Sequence, residues 1–246
     1  MEPNHFTKVT KPLGAKAYGH ICHLPGSRLG TGDHKLNPGQ DRILTEKVRD
    51  RHDVIIVQEK LDGSNVCVAR VNGELVAIGR SGYPSISSPY EQHRFFAGWV
   101  FERLDRFDFL REGERLCGEW LAQAHGTRYA LTHEPFVPFD LMRGPERAPY
   151  AEFSERVPAA GFTVPKLLSH GPPISVAKVL KILEGEERTR NGFHGAIDPM
   201  EGAVWRVERR GVVDFLGKFV RPEKIDGCYL PEISKGDEVW NWRPGK

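Results

Sequence analysis

The middle of the chain contains short apolar runs separated by turn signals, a pattern that predicts a sheet-rich fold. Residues 54–57 are all β-branched and apolar, as in a buried strand. Asn72 and Gly73 separate two further β-rich runs, and an Asn-Gly pair in this setting is the strongest short-range signal of a hairpin. The remaining strand predictions are residues 116–121, 136–142, 203–208 and 212–220, the last two joined by a turn at residues 209–211.

Two segments carry helical signals instead. Ser88, Pro89 and Glu91 form a capping-box pattern, which predicts a helix from there to about residue 110. The residues expected on or near its apolar face are Phe95, Trp99 and Leu104. A second helix is predicted over residues 175–184, where apolar positions recur with helical spacing. Because strands dominate and a few helices lie between them, we expect an α+β fold with mostly antiparallel sheets.

Composition narrows the classes of function. The 246 residues include 35 Lys and Arg against 33 Asp and Glu, which gives a net charge of +2, so a nucleic-acid partner would need a local basic groove. Hydrophobic residues make up 39% and charged residues 28%, as in a folded protein rather than a disordered one. No apolar run approaches the ~20 residues of a membrane helix, and the first residues lack the pattern of a secretory signal. We therefore expect a cytoplasmic protein with no membrane partner.

The four cysteines lie far apart and form no Cys-x-x-Cys pair, so a disulfide framework is not expected. His20, Cys22 and His23 lie close together and could suggest a metal. No second pair of ligands lies at zinc spacing, however, and an incidental loop is the preferred interpretation.

The first fifty residues are rich in Gly, Pro and polar residues, and residues 24–33 predict a long loop. Its glycines could bring backbone N–H groups close to a phosphate, with Arg28 beside them, or the loop could be a lid without ligand contact. We divide the chain into a loop-rich segment over residues 1–50 that packs on the core, a core over 51–222 and a short tail over 223–246. The tail residues Trp240 and Trp242 could stack on unpaired bases or dock onto the core.

A lysine directly follows the first predicted strand. Burying an unpaired ammonium is costly, so Lys60 is unusual at this position. A partly desolvated lysine near another cation has a lowered pKa and becomes a nucleophile, and Gly63 frees the backbone for a close approach just beyond it. The competing interpretation is an ordinary strand-to-turn corner, where Lys and Asp-Gly are common.

Other polar and aromatic residues recur within apolar strands further along the chain. Glu119 and Glu201 could be edge or solvent-facing positions, Phe139 could belong to the core, and Lys218 could be a snorkelling side chain. Their order along the chain, rather than any single residue, favours a functional interpretation.

That order resembles the covalent nucleotidyltransferase superfamily of ATP-dependent ligases and mRNA-capping enzymes. Residues 60–63, Lys-Leu-Asp-Gly, resemble motif I. The further resemblances are Arg80 to motif Ia, Glu119 to motif III, Phe139 and Asp140 to motif IIIa, residues 201–204 to motif IV, and Lys218 to motif V. Within the superfamily, Asn65, the Arg-Ser-Gly at 80–82 and the Phe-Asp-Leu at 139–141 are most similar to the phage-type RNA ligase 2 family, and the resemblance spans residues 54–221.

The resemblance implies an α+β nucleotidyltransferase domain, the ATP-grasp-like adenylation domain of ligases, with mostly antiparallel sheets flanked by helices. The sequence departs from the family in two ways. Motif V is usually Lys-x-Lys, whereas Val220 stands two residues after Lys218 and the next cation is Arg221. In addition, 25 residues follow Arg221, fewer than the five strands and loops of an OB-fold need, so we expect no OB-fold.

The function implied is that of an ATP-dependent RNA ligase. Lys60 would attack the α-phosphate of ATP and form a lysyl–AMP intermediate, after which AMP would pass to an RNA 5′-phosphate and a 3′-hydroxyl would displace it. Lys218 and Mg²⁺ would lower the pKa of Lys60 by like-charge repulsion. The alternative is a nucleotide- or RNA-binding module, or a partner-dependent subunit of an RNA repair assembly, without sealing activity of its own.

The resemblance also assigns site residues. The catalytic residues it implies are Lys60, Lys218 and Glu201. Mg²⁺ or Mn²⁺ would be held by Glu119 and Glu201. The residues implied in ATP binding are Glu59, Asp62, Asn65, Arg80, Glu119, Phe139 and Lys218. Among these, Phe139 would stack on adenine, Glu59 would flank the base, and Arg80 and Asn65 would hold the phosphate or ribose side.

Overall fold

Two five-stranded sheets form the framework of the computed structural model, which describes residues 9–189 and 192–243. The ten strands are β1 (Cys22–His23), β2 (Asp53–Lys60), β3 (Ser64–Val71), β4 (Glu74–Gly79), β5 (Glu114–Trp120), β6 (Phe136–Arg143), β7 (Glu146–Arg147), β8 (Leu167–Gly171), β9 (Gly202–Arg209) and β10 (Val212–Val220). The helices are α1 (Gln40–Thr45), α2 (Glu91–Phe101), α3 (Tyr150–Ala159), α4 (Val176–Glu187) and α5 (Pro231–Ser234).

The first sheet has the strand order β1-β10-β9-β2-β8 and the second β4-β3-β5-β6-β7. All neighbouring strands run antiparallel except β1, which runs parallel to β10. The predicted α+β class with mostly antiparallel sheets is therefore confirmed. Within residues 9–189 and 192–243 neither sheet closes into a barrel, so this part of the chain contains no OB-fold.

The predicted strands in the middle of the chain are all present, and the Asn72-Gly73 hairpin joins β3 to β4. The second predicted helix is α4, and Ser175 caps it by accepting a hydrogen bond from the N–H of Lys178. The elements that carried no sequence signal include β8, a half-exposed edge strand, and α3, which contains Pro158. None of the helices in the described residues is long and apolar enough to cross a bilayer.

The predicted helix over residues 88–110 is wrong at both ends. The α2 helix begins at Glu91, and Ser88 does not cap it: its hydroxyl instead accepts the N–H of Tyr90. The helix ends at Phe101, and a separate short 3₁₀ turn, Leu104–Phe107, follows. This break lets Phe107 turn into the core while Leu104, expected on the apolar face, stays 38% exposed.

An aromatic core lies beneath α2, and the C-terminal tail covers one side of it. Trp99, Trp120 and Phe136 are buried there. Phe95 of α2 stacks on Trp242 with ring centroids 5.5 Å apart, and the backbone N–H of Asn241 donates to the carbonyl of Ala122. The tail tryptophans are thus docked onto the core, as one of the two interpretations of the tail predicted.

One buried carboxylate ties the two sheets and the N-terminal segment together. Asp140 of β6 is fully buried and accepts hydrogen bonds from the Tyr18 hydroxyl at 2.7 Å and from Nε of Arg147 at 2.9 Å. Its other oxygen contacts the guanidinium of Arg206 on β9, in the other sheet. Removing the negative charge would therefore leave Arg147 without its ionic partner and the buried Arg206 with only the longer contact to Glu208.

We expect Asp140→Asn to lower the free energy of unfolding by roughly 3–5 kcal/mol, because it breaks a buried ion pair on one side only. Thermal unfolding monitored by circular dichroism would measure this as a drop of about 10 °C in Tm. The matched control is Asp105→Asn, which changes an exposed side chain. Equal Tm values for the two variants would contradict this account of the Asp140 network.

Candidate active site

A cavity of about 1090 Å³ lies where the face of the first sheet meets the ends of strands in the second. Every residue assigned to the site from the sequence lines it: Glu59, Lys60, Asp62, Asn65, Arg80, Glu119, Phe139, Glu201 and Lys218. These residues are up to 159 positions apart in the chain and come from both sheets. The structure thus brings all nine together, while their individual roles stay predictions.

The cavity face of the first sheet follows from strand alternation. Side chains two residues apart point to the same face, so Lys60 on β2 shares a face with Lys218 and Val220 on β10. The register places Lys60 opposite Gly202, and Gly202 opposite Val220. Lys60, Gly202 and Val220 therefore lie at one level across three adjacent strands.

Two glycines allow the close approaches around Lys60. A Cβ at Gly63 would lie 2.5 Å from the carbonyl oxygen of Trp120, so this glycine lets β3 come against β5 beside the lysine. Gly202 has a φ of +156°, and a Cβ there would lie 1.9 Å from the carbonyl oxygen of Phe219. Both glycines stand next to charged site residues, Asp62 and Glu201, and fix where those side chains start.

The Lys60 ammonium lies among carboxylates. Its Nζ donates to Oε2 of Glu201 at 2.6 Å and to the carbonyl of Leu61 at 3.3 Å. Burial by itself lowers the pKa of Lys60, but Glu201, Glu119 and Asp62 together raise it above the usual 10.5. The expected lowering of this pKa is therefore wrong for the protein's own groups, because the negative charge around the lysine outweighs the repulsion from Lys218.

The two glutamates have pKa values shifted in the direction of the protonated form. Burial raises the pKa of Glu119 to about 7, although Lys60 opposes the shift and Oε1 accepts the N–H of Gly63 at 3.1 Å. Burial likewise raises the pKa of Glu201 to about 8, again against the influence of Lys60. Nearby Asp62 adds like-charge repulsion to both. A bound cation would favour the ionised form of both carboxyl groups.

Lys218 is paired with a residue from the N-terminal segment. Its Nζ lies 3.4 Å from Oδ1 of Asp33, whose other oxygen lies 3.0 Å from Nε2 of the buried His23. Burial lowers the pKa of Lys218, and Lys60 lowers it further by like-charge repulsion. The candidate metal ligand His23 is therefore engaged with Asp33, and its other ring nitrogen lies 2.7 Å from the Ser27 hydroxyl.

The remaining predicted site residues are held by local contacts. Glu59 is buried, and its Oε1 accepts the N–H of Lys166 at 2.7 Å and lies 2.6 Å from Nε2 of His194. The Phe139 ring packs edge-on against Tyr18 at a centroid distance of 5.2 Å.

Arg80 and Asn65 lie on the other side of the cavity. The guanidinium of Arg80 reaches the carbonyl of Gly19 at 3.4 Å and the ring of His20 at 3.3 Å. Oδ1 of Asn65 is buried and has no hydrogen-bond partner within residues 9–189 and 192–243. A buried acceptor without a partner fits a donor that arrives with a ligand.

Arg221 does not replace the missing second lysine of motif V. It is buried outside the cavity, with Nη1 2.9 Å from Oε1 of Glu187. Val220 occupies the cavity position instead. Sequence reasoning also missed Asp33, Arg206 and His125, which line the cavity. The loop of Asp33 and the strand of Arg206 were predicted, but none of the three residues belongs to a recognised motif.

The carboxylates fit a magnesium site that the substrate completes. Within the described ranges no group of three or more His, Cys, Asp or Glu residues is arranged to hold a metal by itself. Mg²⁺ usually keeps several waters and binds through one or two carboxylates together with substrate phosphates. Glu119 and Glu201 supply such a pair within one cavity.

Residues 53–220 match the family model described as RNA ligase. The chain belongs to the RNA ligase family. This confirms the family that the order of the motifs predicted, over nearly the same residues. No curated protein matches the chain.

Several solved RNA ligase structures are similar to the chain. Naegleria gruberi RNA ligase with PPi has 15% identity and a TM-score of 0.53, covering 96% of this chain and 64% of that chain. A variant of the same ligase with AMP and Mn has 14% identity and a TM-score of 0.54, covering 86% and 60%. An archaeal ATP-dependent RNA ligase has 22% identity and a TM-score of 0.48, covering 68% and 42%. The chain shares the fold of the Naegleria ligase and spans 42–64% of the length of these three chains.

The raised pKa of Glu119 predicts a pH-dependent effect of Glu119→Gln on stability. Between pH 4.5 and about 7 the folded protein binds a proton that the unfolded chain has released, so Glu119 makes stability fall as pH rises. The variant does not titrate, so its Tm should exceed that of the parent by about 6–12 °C at pH 8, corresponding to roughly 3 kcal/mol for a pKa raised from 4.5 to about 7. The difference should vanish near pH 4.5. Thermal unfolding across this pH range, with the exposed Glu155→Gln as control, measures it.

Proposed function

We propose that the chain is an ATP-dependent RNA ligase that forms a covalent lysyl–AMP intermediate at Lys60. The observation that carries this proposal is the pairing of Lys60 Nζ with Oε2 of Glu201 at 2.6 Å, in one cavity with Lys218. Membership in the RNA ligase family supports it. A module that only bound nucleotide would not need a partly buried lysine held among three carboxylates.

In the first step Nζ of Lys60 loses a proton and attacks the α-phosphorus of ATP. The proton leaves to solvent, which reaches the lysine because its side chain is 22% exposed. A bond forms between Nζ and the α-phosphorus, and the bond from that phosphorus to the bridging oxygen breaks. Pyrophosphate leaves with the electron pair. Lys218 lies near the lysine and neutralises charge on the α-phosphate in the transition state.

A divalent cation, Mg²⁺ or Mn²⁺, supplies positive charge that offsets the triphosphate and lowers the pKa of Lys60. We assign Glu119 and Glu201 as its protein ligands. The Naegleria gruberi structures with AMP and Mn, and with ATP and Mn, support the use of a nucleotide and a divalent metal.

The other cavity residues position the nucleotide. We assign Phe139 to stacking on adenine, because its ring is fixed edge-on by Tyr18. Glu59 flanks the base, held by its hydrogen bond from Lys166. Arg80 and Asn65 contact the phosphate or ribose side, where Asn65 offers its unpaired oxygen.

The second and third steps use RNA. The AMP on Lys60 passes to the 5′-phosphate of an RNA end, which forms a phosphoanhydride and returns the lysine. A 3′-hydroxyl then attacks the activated 5′-phosphorus, forms the phosphodiester and releases AMP. The substrate class rests on the family, and sealing by this chain alone is part of the proposal.

Covalent labelling tests the first step. We expect α-phosphate-labelled ATP and Mg²⁺ to leave label on the denatured wild-type chain. Lys60→Arg should reduce the label to background, because the guanidinium keeps the positive charge beside Glu201 but is not a nucleophile at neutral pH. The matched control, Lys181→Arg on the exposed side of α4, should label like wild type.

An RNA assay then separates the ligase from a binding module. Nicked and single-stranded 5′-phosphate RNA should convert the label on Lys60 into AMP and a joined product. A folded chain that binds ATP but takes up no label would contradict the proposal and favour a nucleotide-binding module or a partner-dependent subunit.

A further inference from the structure

The N-terminal loop fixes Arg28 at the end of β10. The N–H of Arg28 donates to the carbonyl of Val220 at 2.9 Å, and the Ser27 hydroxyl accepts the N–H of Val220 at 2.9 Å. Earlier in the loop, the N–H of Leu24 donates to the carbonyl of Lys218 at 2.8 Å. These three hydrogen bonds hold the loop in register with the strand. The position of Arg28 is therefore set by the backbone, independently of its side chain.

This anchor lies across the sheet from the nucleophile. Val220 stands at the level of Lys60, two strands away, which is about 10 Å at ~4.8 Å per strand. Arg28, Val220 and Lys60 all line the same cavity. The loop thus supplies a guanidinium next to the strand position where Val220 offers no charge.

The geometry of phosphoryl transfer indicates what a cation beside Val220 would bind. The attacking and leaving oxygens or nitrogens lie in line on opposite sides of the reacting phosphorus. Lys60 on β2 attacks the α-phosphorus, and Lys218 on β10 neutralises the α-phosphate, so the reacting phosphorus lies from Lys60 in the direction of β10. The leaving pyrophosphate then lies further toward β10 and the N-terminal loop. A cation on that side stabilises the negative charge that builds up as pyrophosphate departs.

Two other arginines, Arg206 and Arg221, are held by carboxylates of the protein. Arg206 is buried and held by Asp140 and Glu208, and Arg221 is held by Glu187 outside the cavity. Arg28, in contrast, has its Nη1 3.1 Å from Oδ1 of Asp226, whose side chain is 65% exposed. An ion pair with so exposed a partner contributes little free energy, so phosphate oxygens can replace the carboxylate.

We infer that Arg28 binds the β- and γ-phosphates of ATP, and the pyrophosphate formed from them, by exchanging Asp226 for phosphate oxygens. Arg28 is then a substrate-binding residue for the first step, delivered by the N-terminal segment rather than by the sheet. The inference rests on the proposed function, since it requires ATP in this cavity.

Binding measurements test it without turnover. Isothermal titration calorimetry with Mg²⁺ would compare α,β-methylene-ATP, inorganic pyrophosphate and AMP. Arg28→Ala should weaken α,β-methylene-ATP and pyrophosphate by about tenfold or more, and AMP by less than about twofold, because AMP lacks the two outer phosphates. Arg28→Lys should recover part of the loss. Asp226→Asn, which removes the competing carboxylate, should tighten α,β-methylene-ATP severalfold.

The matched control is Arg42→Ala, which changes an exposed arginine on α1 paired with Glu46. Equal affinities for Arg28→Ala and Arg42→Ala would overturn the inference, and so would an equal loss for AMP and α,β-methylene-ATP, which indicates a structural role. An unchanged affinity of Asp226→Asn for α,β-methylene-ATP would overturn the proposed exchange of Asp226 for phosphate oxygens. If wild type labels at Lys60 while Arg28→Ala binds normally, only this inference fails. If wild type binds neither nucleotide, the proposed function fails with it.

Discussion

The ammonium of Lys60, largely shielded from water between two sheets, is the constraint on which the rest of the site depends. An unpaired buried cation is too costly to keep, so carboxylates must surround it. Glu201 makes the direct contact, while Glu119 on β5 and Asp62 in the connection between β2 and β3 add negative charge. The negative charge exceeds what one ammonium needs, because three carboxylates surround it. The pKa of Lys60 therefore rises, and the pKa values of Glu119 and Glu201 rise too. The protein by itself thus holds the nucleophile protonated, and further positive charge is needed to release it.

The N-terminal segment sets the surroundings of the second lysine, Lys218. It runs along the free edge of β10, where β1 pairs in parallel and Asp33 reaches Lys218. The same segment carries Tyr18 to the buried Asp140, which in turn contacts Arg206 in the first sheet. The N-terminal segment therefore contacts both the active-site residue Lys218 and the buried Asp140 network. Displacing it would alter the surroundings of Lys218 and the packing of the core.

The central strands could be predicted from the sequence because their signals are local, and the order of the motifs predicted nine candidate residues that meet in one cavity. The site's electrostatics could not. The sequence places Lys218 near Lys60 and suggests repulsion, but the sum of charges depends on which carboxylates the two sheets bring together. Whether Arg221 faces the cavity could not be predicted either, because its partner Glu187 on α4 lies 34 residues away in the chain.

Local signals failed at the start of α2 and in the N-terminal loop. The hydroxyl of Ser88 accepts the N–H of Tyr90, one residue before the helix begins at Glu91, so the capping pattern does not mark the helix start. The N-terminal loop has no period because its contacts are made to β10 and to Asp226 rather than within itself. The position of this loop could therefore be described only from its contacts with β10.

The most direct test of the account is to map the site of nucleotide attachment on the wild-type chain. After incubation with ATP and Mg²⁺, peptide mass spectrometry should find AMP on the peptide that contains Lys60 and on no other, through a linkage that acid cleaves and mild alkali does not, as a phosphoramidate requires. AMP attached to another residue, or a chain that binds ATP and carries none, would contradict it.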